Sequence, residues 1–230
     1  GSEMCIRDRT KTLLLPQVSR CAAHAVEYLH SRGIDYELID FCIRTGRLYE
    51  SYPHHNVVFV GKDKAGQPRY ACLRGIGTDF KGEATGSDKR FSFSIPAKES
   101  SQVLYLFESA IDLLSFATMA QEDRLPWRSQ HLLSLAGVYQ PKKNLAERRL
   151  PLALSQYLRD HREIQTIYLC LDNDLAGRSA ADAIRQQLAG RYVVLDGFPC
   201  QGKDYNDWLC LRKGLPITRT VPKTERSIAR

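Results

Sequence analysis

The sequence predicts an α/β fold, a mainly parallel sheet flanked by helices, preceded by a small α+β domain. Two observations carry this expectation. From residue 101 onward, short apolar runs of β character alternate with segments of helical periodicity, the pattern of strands joined by crossover helices. Before residue 100 the order differs, with two short helical segments followed by β-type runs around turn residues.

Each element follows from its own residues. Residues 1–12 show no periodicity and read as a disordered leader. In the domain 13–100, apolar residues recur at helical spacing from Val18 to Leu29 and from Tyr36 to Ile43, with Ser31-Arg32-Gly33 as the break. A hairpin is predicted where Val57-Val58-Phe59-Val60 and Tyr70-Ala71-Cys72-Leu73 flank the turn-rich Lys62-Asp63-Lys64-Ala65-Gly66. Phe91 to Ile95 offers a further strand of that unit. The domain 101–213 reads as strand 103–107, helix 109–120, strand 131–135, helix 144–160, strand 166–171, helix 176–189 and strand 192–195. Residues 214–230, with Arg219, Lys223, Arg226 and Arg230 against Glu225, form a basic tail.

The formal charge of +7 and pI near 9.1 favour a polyanionic partner, because lysines and arginines that neutralise phosphates release condensed counterions. No long apolar run or signal-peptide pattern is present, so no membrane partner is expected and the location expected is cytoplasmic. The seven cysteines include no Cys-x-x-Cys pair, which argues against zinc and against a disulfide framework.

The chemistry gathers at strand ends. Val103–Phe107 is an apolar strand that runs into Glu108, and a second apolar strand ends on Asp172-Asn173-Asp174. In a parallel sheet these ends lie along the carboxyl edge, where ligands of open α/β sheets bind. Residues two apart in extended backbone face the same side, so Asp172 and Asp174 can aim at one point. Magnesium takes hard oxygen ligands, often only one or two protein carboxylates, with phosphate and water completing the shell. Each acid taken singly also fits a helix N-cap. Asp112 reads either as a solvated residue or as an acid behind the metal ligands, and Asp204 and Asp207 either as caps of a short final helix or as part of the metal site.

The series Phe-Glu-Ser-Ala-Ile-Asp at 107–112, Leu-Ser-Leu-Ala-Gly at 133–137, Leu-Asp-Asn-Asp-Leu-Ala-Gly-Arg at 171–178 and Gly-Lys-Asp-Tyr-Asn-Asp at 202–207 resembles the Toprim domain of bacterial primases, topoisomerases and some nucleases. The resemblance implies catalytic, metal-binding roles for Glu108, Asp172 and Asp174, a metal role for Asp204, supporting roles for Asp112 and Asp207, and close backbone approaches at Gly137 and Gly177. Topoisomerases usually add an acid where this chain has Ala176, and the tyrosine-bearing topoisomerase domain has no counterpart here. The opening Tyr28-Leu29-His30-Ser31-Arg32-Gly33, followed by the β unit, is similar to the start of the catalytic core of bacterial primases. That family's zinc and helicase-binding modules have no counterpart in these residues. From about residue 24 the chain resembles more closely the Toprim proteins of plasmids and integrative mobile elements that carry an uncharacterised domain in front.

Arg69, Arg74, Lys81, Lys89 and Arg90 occupy the places of the primases' basic β unit and are the candidate phosphate contacts; Tyr70, Phe80 and Phe91 stand among them as stacking or core residues. The function expected is metal-dependent phosphoryl transfer on nucleic acid. The leading form is a primase-like nucleotidyltransferase of a mobile element, and the alternatives are a metal-dependent nuclease and a non-catalytic single-stranded DNA-binding accessory. The implied cofactor is magnesium, with manganese as its substitute. The implied partners are single-stranded DNA or an RNA–DNA hybrid, nucleotide triphosphates, and a helicase or relaxase of the same element.

Overall fold

The computed structural model describes residues 12–137 and 149–217. Most of the predicted leader, the first turn of the predicted helix 144–160 and most of the basic tail lie outside these residues.

The first part begins with α1 (Ala23–Ser31) and α2 (Tyr36–Arg44), the second capped by Asp35, whose carboxylate accepts the Glu37 N–H. The sequence periodicity places the first helix start at Val18, but that residue instead forms an isolated bridge with Ser51. An antiparallel sheet follows, β1 (Leu48–Glu50), β2 (Val57–Lys62), β3 (Pro68–Arg74) and β4 (Lys81–Glu83), in that spatial order. The predicted hairpin is β2–β3. β1 and β4, three residues each, are too short to show a period in the sequence.

The second sheet has the order β5-β7-β6-β8-β9, formed by β5 (Ser94–Ile95), β6 (Val103–Phe107), β7 (His131–Ser134), β8 (Thr166–Cys170) and β9 (Val193–Asp196). All its pairings are parallel except β5–β7. Here the reading of Phe91–Ile95 needs correction. Lys89–Phe91 is a single 3₁₀ turn, and Ser94–Ile95 pairs with β7, so this strand belongs to the second sheet and ties the two parts together.

Period-two alternation builds the layers. Leu104 and Leu106 of β6, with Ile167, Leu169 and Leu171, face α4 (Leu152–Asp160) and α5 (Leu175–Leu188). Tyr105, Phe107, Tyr168 and Cys170 face the other way, toward α3 (Ala110–Glu122), α6 (Tyr205–Lys213) and the cores of α1 and α2. That shared core fuses the two parts. Leu29, Leu38 and Leu113 are each at most 1% exposed within it, and such burial is worth about 1.5–3 kcal/mol per leucine relative to exposure. None of the helices among the described residues is long and apolar enough to cross a membrane.

Candidate metal centre

β6 and β8 are parallel neighbours with Phe107 level with Cys170, so Glu108 leaves the sheet level with Leu171, one residue before Asp172. The helix-cap reading explains only part of the acid set. Asp174 caps α5, its Oδ1 accepting the Gly177 N–H at 2.9 Å, and Asp204 caps α6, accepting the Asp207 N–H at 2.7 Å. Glu108 and Asp172 cap nothing, because Ser109 caps α3 and Asp174 caps α5. Glu108 is buried, and its Oε1 accepts the Asp172 N–H at 3.3 Å.

Both aspartates of the strand end reach one cation. Lys203 places Nζ 2.9 Å from Asp172 Oδ2 and 3.2 Å from Asp174 Oδ2. Behind them Asp112 is buried, accepting the Ser109 hydroxyl and, at 3.2 Å, the Asn206 N–H. Of its two open readings the structure therefore excludes the solvated one. Asp207 is also buried and accepts the Lys203 N–H at 3.1 Å, which orders the turn ahead of α6.

Burial and neighbouring charge shift these acids in opposite directions. Burial first, and then the charge of Asp172, push the Glu108 carboxyl up to about 7. Burial also raises Asp172 against the hydrogen bond from Lys203, and it raises Asp112 and Asp204. Asp174 moves the other way, held down by the Gly177 N–H. Lys203 is raised by its bond to Asp172. Carboxylates packed this closely resist ionisation except where positive charge stands, and hard oxygen donors around a captured ammonium fit a magnesium ion.

A Cβ on Gly177 would stand 2.0 Å from the Asp172 carbonyl oxygen. Alanine is usually favoured over glycine within a helix by about 1 kcal/mol, but a backbone clash of this size outweighs it. Gly177→Ala is expected to cost about 1–3 kcal/mol or more and to displace Asp172, read as a lower melting temperature together with weaker magnesium binding. Gly137 answers to a different constraint from the close approach expected of it. A Cβ there meets open space, and the glycine serves a φ of +95°.

A cleft of about 450 Å³ lies between the acid edge and the antiparallel sheet, lined by Glu108, Asp112, Asp172, Lys203 and Asp204 on one side and by Tyr70, Arg74 and Lys81 on the other. Arg74 and Lys81 are register partners on β3 and β4. The Arg74 Nε is buried and has no hydrogen-bond partner. The remaining basic candidates do not line the cleft and are engaged with acids: Arg69 with Asp63 at 2.8 Å, Lys89 with Glu83 at 3.0 Å and Arg90 with Asp88 at 2.6 Å. Of the aromatics, Tyr70 is a core residue whose hydroxyl donates to Glu83, whereas Phe80 is half exposed.

The sequence pattern did not point to Lys203, Arg32 or Asn206. Arg32 lines the cleft, and its Nε donates to Asn206 Oδ1 at 2.9 Å; Asn206 in turn donates to the Arg32 carbonyl and the Ser115 hydroxyl. The signal for Lys203 lay in Gly202-Lys203-Asp204, a segment whose acids alone suggest a role.

An acid-lined carboxyl edge on this sheet order, with an α+β part packed over it, defines a Toprim-type core. Residues 105–209 match the family described as Toprim-like, and residues 27–100 match the one described as protein of unknown function (DUF3991). The chain carries a Toprim-like domain preceded by a DUF3991 domain. A 65 kDa protein of Zymomonas mobilis subsp. mobilis is 30% identical over 86% of this chain, which spans about a third, 32%, of that relative's length. Among solved structures, the primase fragment of the bacteriophage T7 primase-helicase protein is similar at a TM-score of 0.53 and 19% identity, over 80% of this chain and 69% of that one. The DnaG primase catalytic domain bound to single-stranded DNA is similar at 0.53 and 16% identity, over 86% and 72%. The fold is that of primase catalytic cores.

Asp204 offers a clean separation of roles, because asparagine caps helices about as well as aspartate while lacking its charge. Asp204→Asn is expected to leave the melting temperature nearly unchanged and to raise the magnesium needed for half-maximal activity. Asp204→Ala should in addition cost about 1 kcal/mol of stability. An unchanged magnesium titration in both variants would confine Asp204 to capping.

Proposed function

We propose that this chain is a metal-dependent phosphoryl-transfer enzyme on nucleic acid, a primase-like nucleotidyltransferase of a mobile element. The observation that supports it best is the cleft that sets Arg74 and Lys81 opposite Glu108, Asp172 and Asp204. A buried guanidinium nitrogen without a partner, facing acids that call for a cation, suits a phosphate carried between them.

In this reading Glu108, Asp172 and Asp174 hold magnesium, or manganese in its place, with Asp204 beside them. The ion supplies charge neutralisation and Lewis-acid polarisation at the phosphoryl group. Lys203, which now contacts Asp172 and Asp174, would face phosphate oxygens beside such an ion. Asp112, Asp207 and Asn206 hold the α3–α6 junction in place, so that the acids need not reorganise as charge develops. Arg74 and Lys81 bind the backbone of a single-stranded template or the triphosphate of an incoming nucleotide. The single-stranded DNA carried by the similar DnaG domain supports the first of these ligands. The similar T7 structure is the primase fragment of a primase-helicase protein, which supports a helicase as the partner; a relaxase of the same element is the alternative partner in this reading.

The test incubates the protein with single-stranded DNA, labelled nucleotides and magnesium or manganese, and resolves both extension and cleavage products. Extension is the expected result. Cleavage without extension would replace the proposal with a nuclease, and neither product, alongside retained DNA binding, would replace it with an accessory binder.

A further inference from the structure

The opposite edge of the parallel sheet carries a second cluster with ligand chemistry. His131 opens β7, level with Leu104 at the start of β6. It lies four residues of strand, roughly 13 Å, from the level of Glu108. His161 ends α4, and Glu163 stands in the turn into β8.

His131 is 2% exposed, and its Nε2 is buried with no hydrogen-bond partner. Buried polar atoms are nearly always satisfied, so an orphan imidazole nitrogen calls for an explanation. It faces Glu163 Oε1 at 3.6 Å, and the same oxygen lies 3.3 Å from His161 Nδ1. One ligand atom from each of the three residues lies within 4.8 Å of the others. Zinc bonds of about 2.0–2.1 Å in a tetrahedron put neighbouring ligand atoms roughly 3.3–3.4 Å apart, whereas a direct charged hydrogen bond would draw them to about 2.7–2.9 Å. The His161–Glu163 pair is within hydrogen-bond reach at 3.3 Å, and the His131–Glu163 separation of 3.6 Å leaves Nε2 without a direct bond and the cluster with room for a shared ion.

Hydrogen bonds engage the other ring nitrogen of His131. The Tyr157 hydroxyl lies 3.0 Å from His131 Nδ1. Nδ1 is thereby engaged, and Nε2 is the ring nitrogen left facing Glu163. The Ala97 N–H also donates to Nδ1, at 3.4 Å.

We propose that His131, His161 and Glu163 form a site for a zinc-class divalent ion, which clamps the start of β7 to the α4–β8 turn. Two imidazoles and one carboxylate select zinc, cobalt or nickel over magnesium, so the site is chemically distinct from the all-oxygen acid edge. Glu163 is partly exposed, which gives the ion a path of entry and leaves a position for water. The expectation of no zinc rested on cysteine spacing and did not weigh histidines held together by the fold. A rival cluster, His24, Glu50 and His55, already satisfies itself: both Nδ1 atoms bond Glu50 Oε1, at 3.0 and 2.5 Å, and the Ala25 N–H holds Oε2.

The test uses the full chain stripped of metal and titrated with cobalt(II), read by its visible absorption bands and by the bound metal per chain. One equivalent with tetrahedral-type bands is expected in the wild type, in Asp172→Asn/Asp174→Asn and in His24→Ala/His55→Ala. His161→Ala/Glu163→Gln changes only the outer side of the cluster, and there cobalt affinity should fall about a hundredfold or more. Zinc should raise the melting temperature of the wild type and not of this variant. Retention of the tetrahedral equivalent in His161→Ala/Glu163→Gln, its loss in His24→Ala/His55→Ala, or its absence from the wild type would each overturn the proposal. Magnesium-dependent activity belongs to the other edge of the sheet and tests the phosphoryl-transfer reading separately.

Discussion

Replacing Asp172 and Asp174 together by asparagine is expected to lower magnesium-dependent phosphoryl transfer by about 10³-fold or more, the scale on which removal of preorganised charge stabilisation is felt. The fold should survive. Asparagine at 174 still offers an oxygen to the Gly177 N–H, so the cap of α5 is kept. Lys203 loses both carboxylate partners, but its side chain is half exposed and water can take their place at small cost. The melting temperature should therefore change little in the absence of metal, and the rise expected from magnesium in the wild type should be missing from the variant. Activity, the melting temperature and its magnesium response measured on one preparation separate lost chemistry from lost structure. Full activity in a folded double variant would end the metal-centre reading.

The second large effect is expected at the other wall of the cleft. Arg74→Ala with Lys81→Ala should weaken single-stranded DNA binding and reduce the logarithmic salt slope by roughly 0.7 for each phosphate that is no longer neutralised, with little change in sequence preference. The structure makes this pair a sharper choice than Lys89 or Arg90. Those two are neutralised by Glu83 and Asp88, so Lys89→Ala serves as the control with a smaller effect on the slope. Titrations from low to moderate salt measure both. An unaltered slope in the Arg74/Lys81 variant would move the nucleic-acid path away from the cleft.

The two sides of the cleft were unequally legible in the sequence. Glu108, Asp172 and Asp174 announce themselves because each follows an apolar strand, and strand ends in a parallel sheet share one edge. Asp204 and Asp207 were legible as residues but not as roles, since a cap and a ligand both ask for a carboxylate at a helix start. Lys203 was invisible as a partner of Asp172, because nothing local connects positions 172 and 203. Among the basic residues, net charge showed that cations are plentiful but not which of them lack a partner acid.

What the sequence by itself determined is local or repetitive: the alternation of strands and helices after residue 101, the hairpin at β2–β3, the acids at strand ends and the Toprim-like series of motifs. These rest on periods of two and 3.6 residues, which a short window contains. The tertiary structure alone decided that Ser94–Ile95 crosses into the second sheet and that Arg74 and Lys81, rather than Arg69, Lys89 or Arg90, face the acids. It also brought Arg32 to Asn206 across 174 positions of sequence, and His131 to His161 and Glu163. The first depends on how α1, α2 and α6 share one core with α3, and the second on how α4 packs against the parallel sheet, long-range packing outcomes to which each residue contributes little and which no short window of sequence contains.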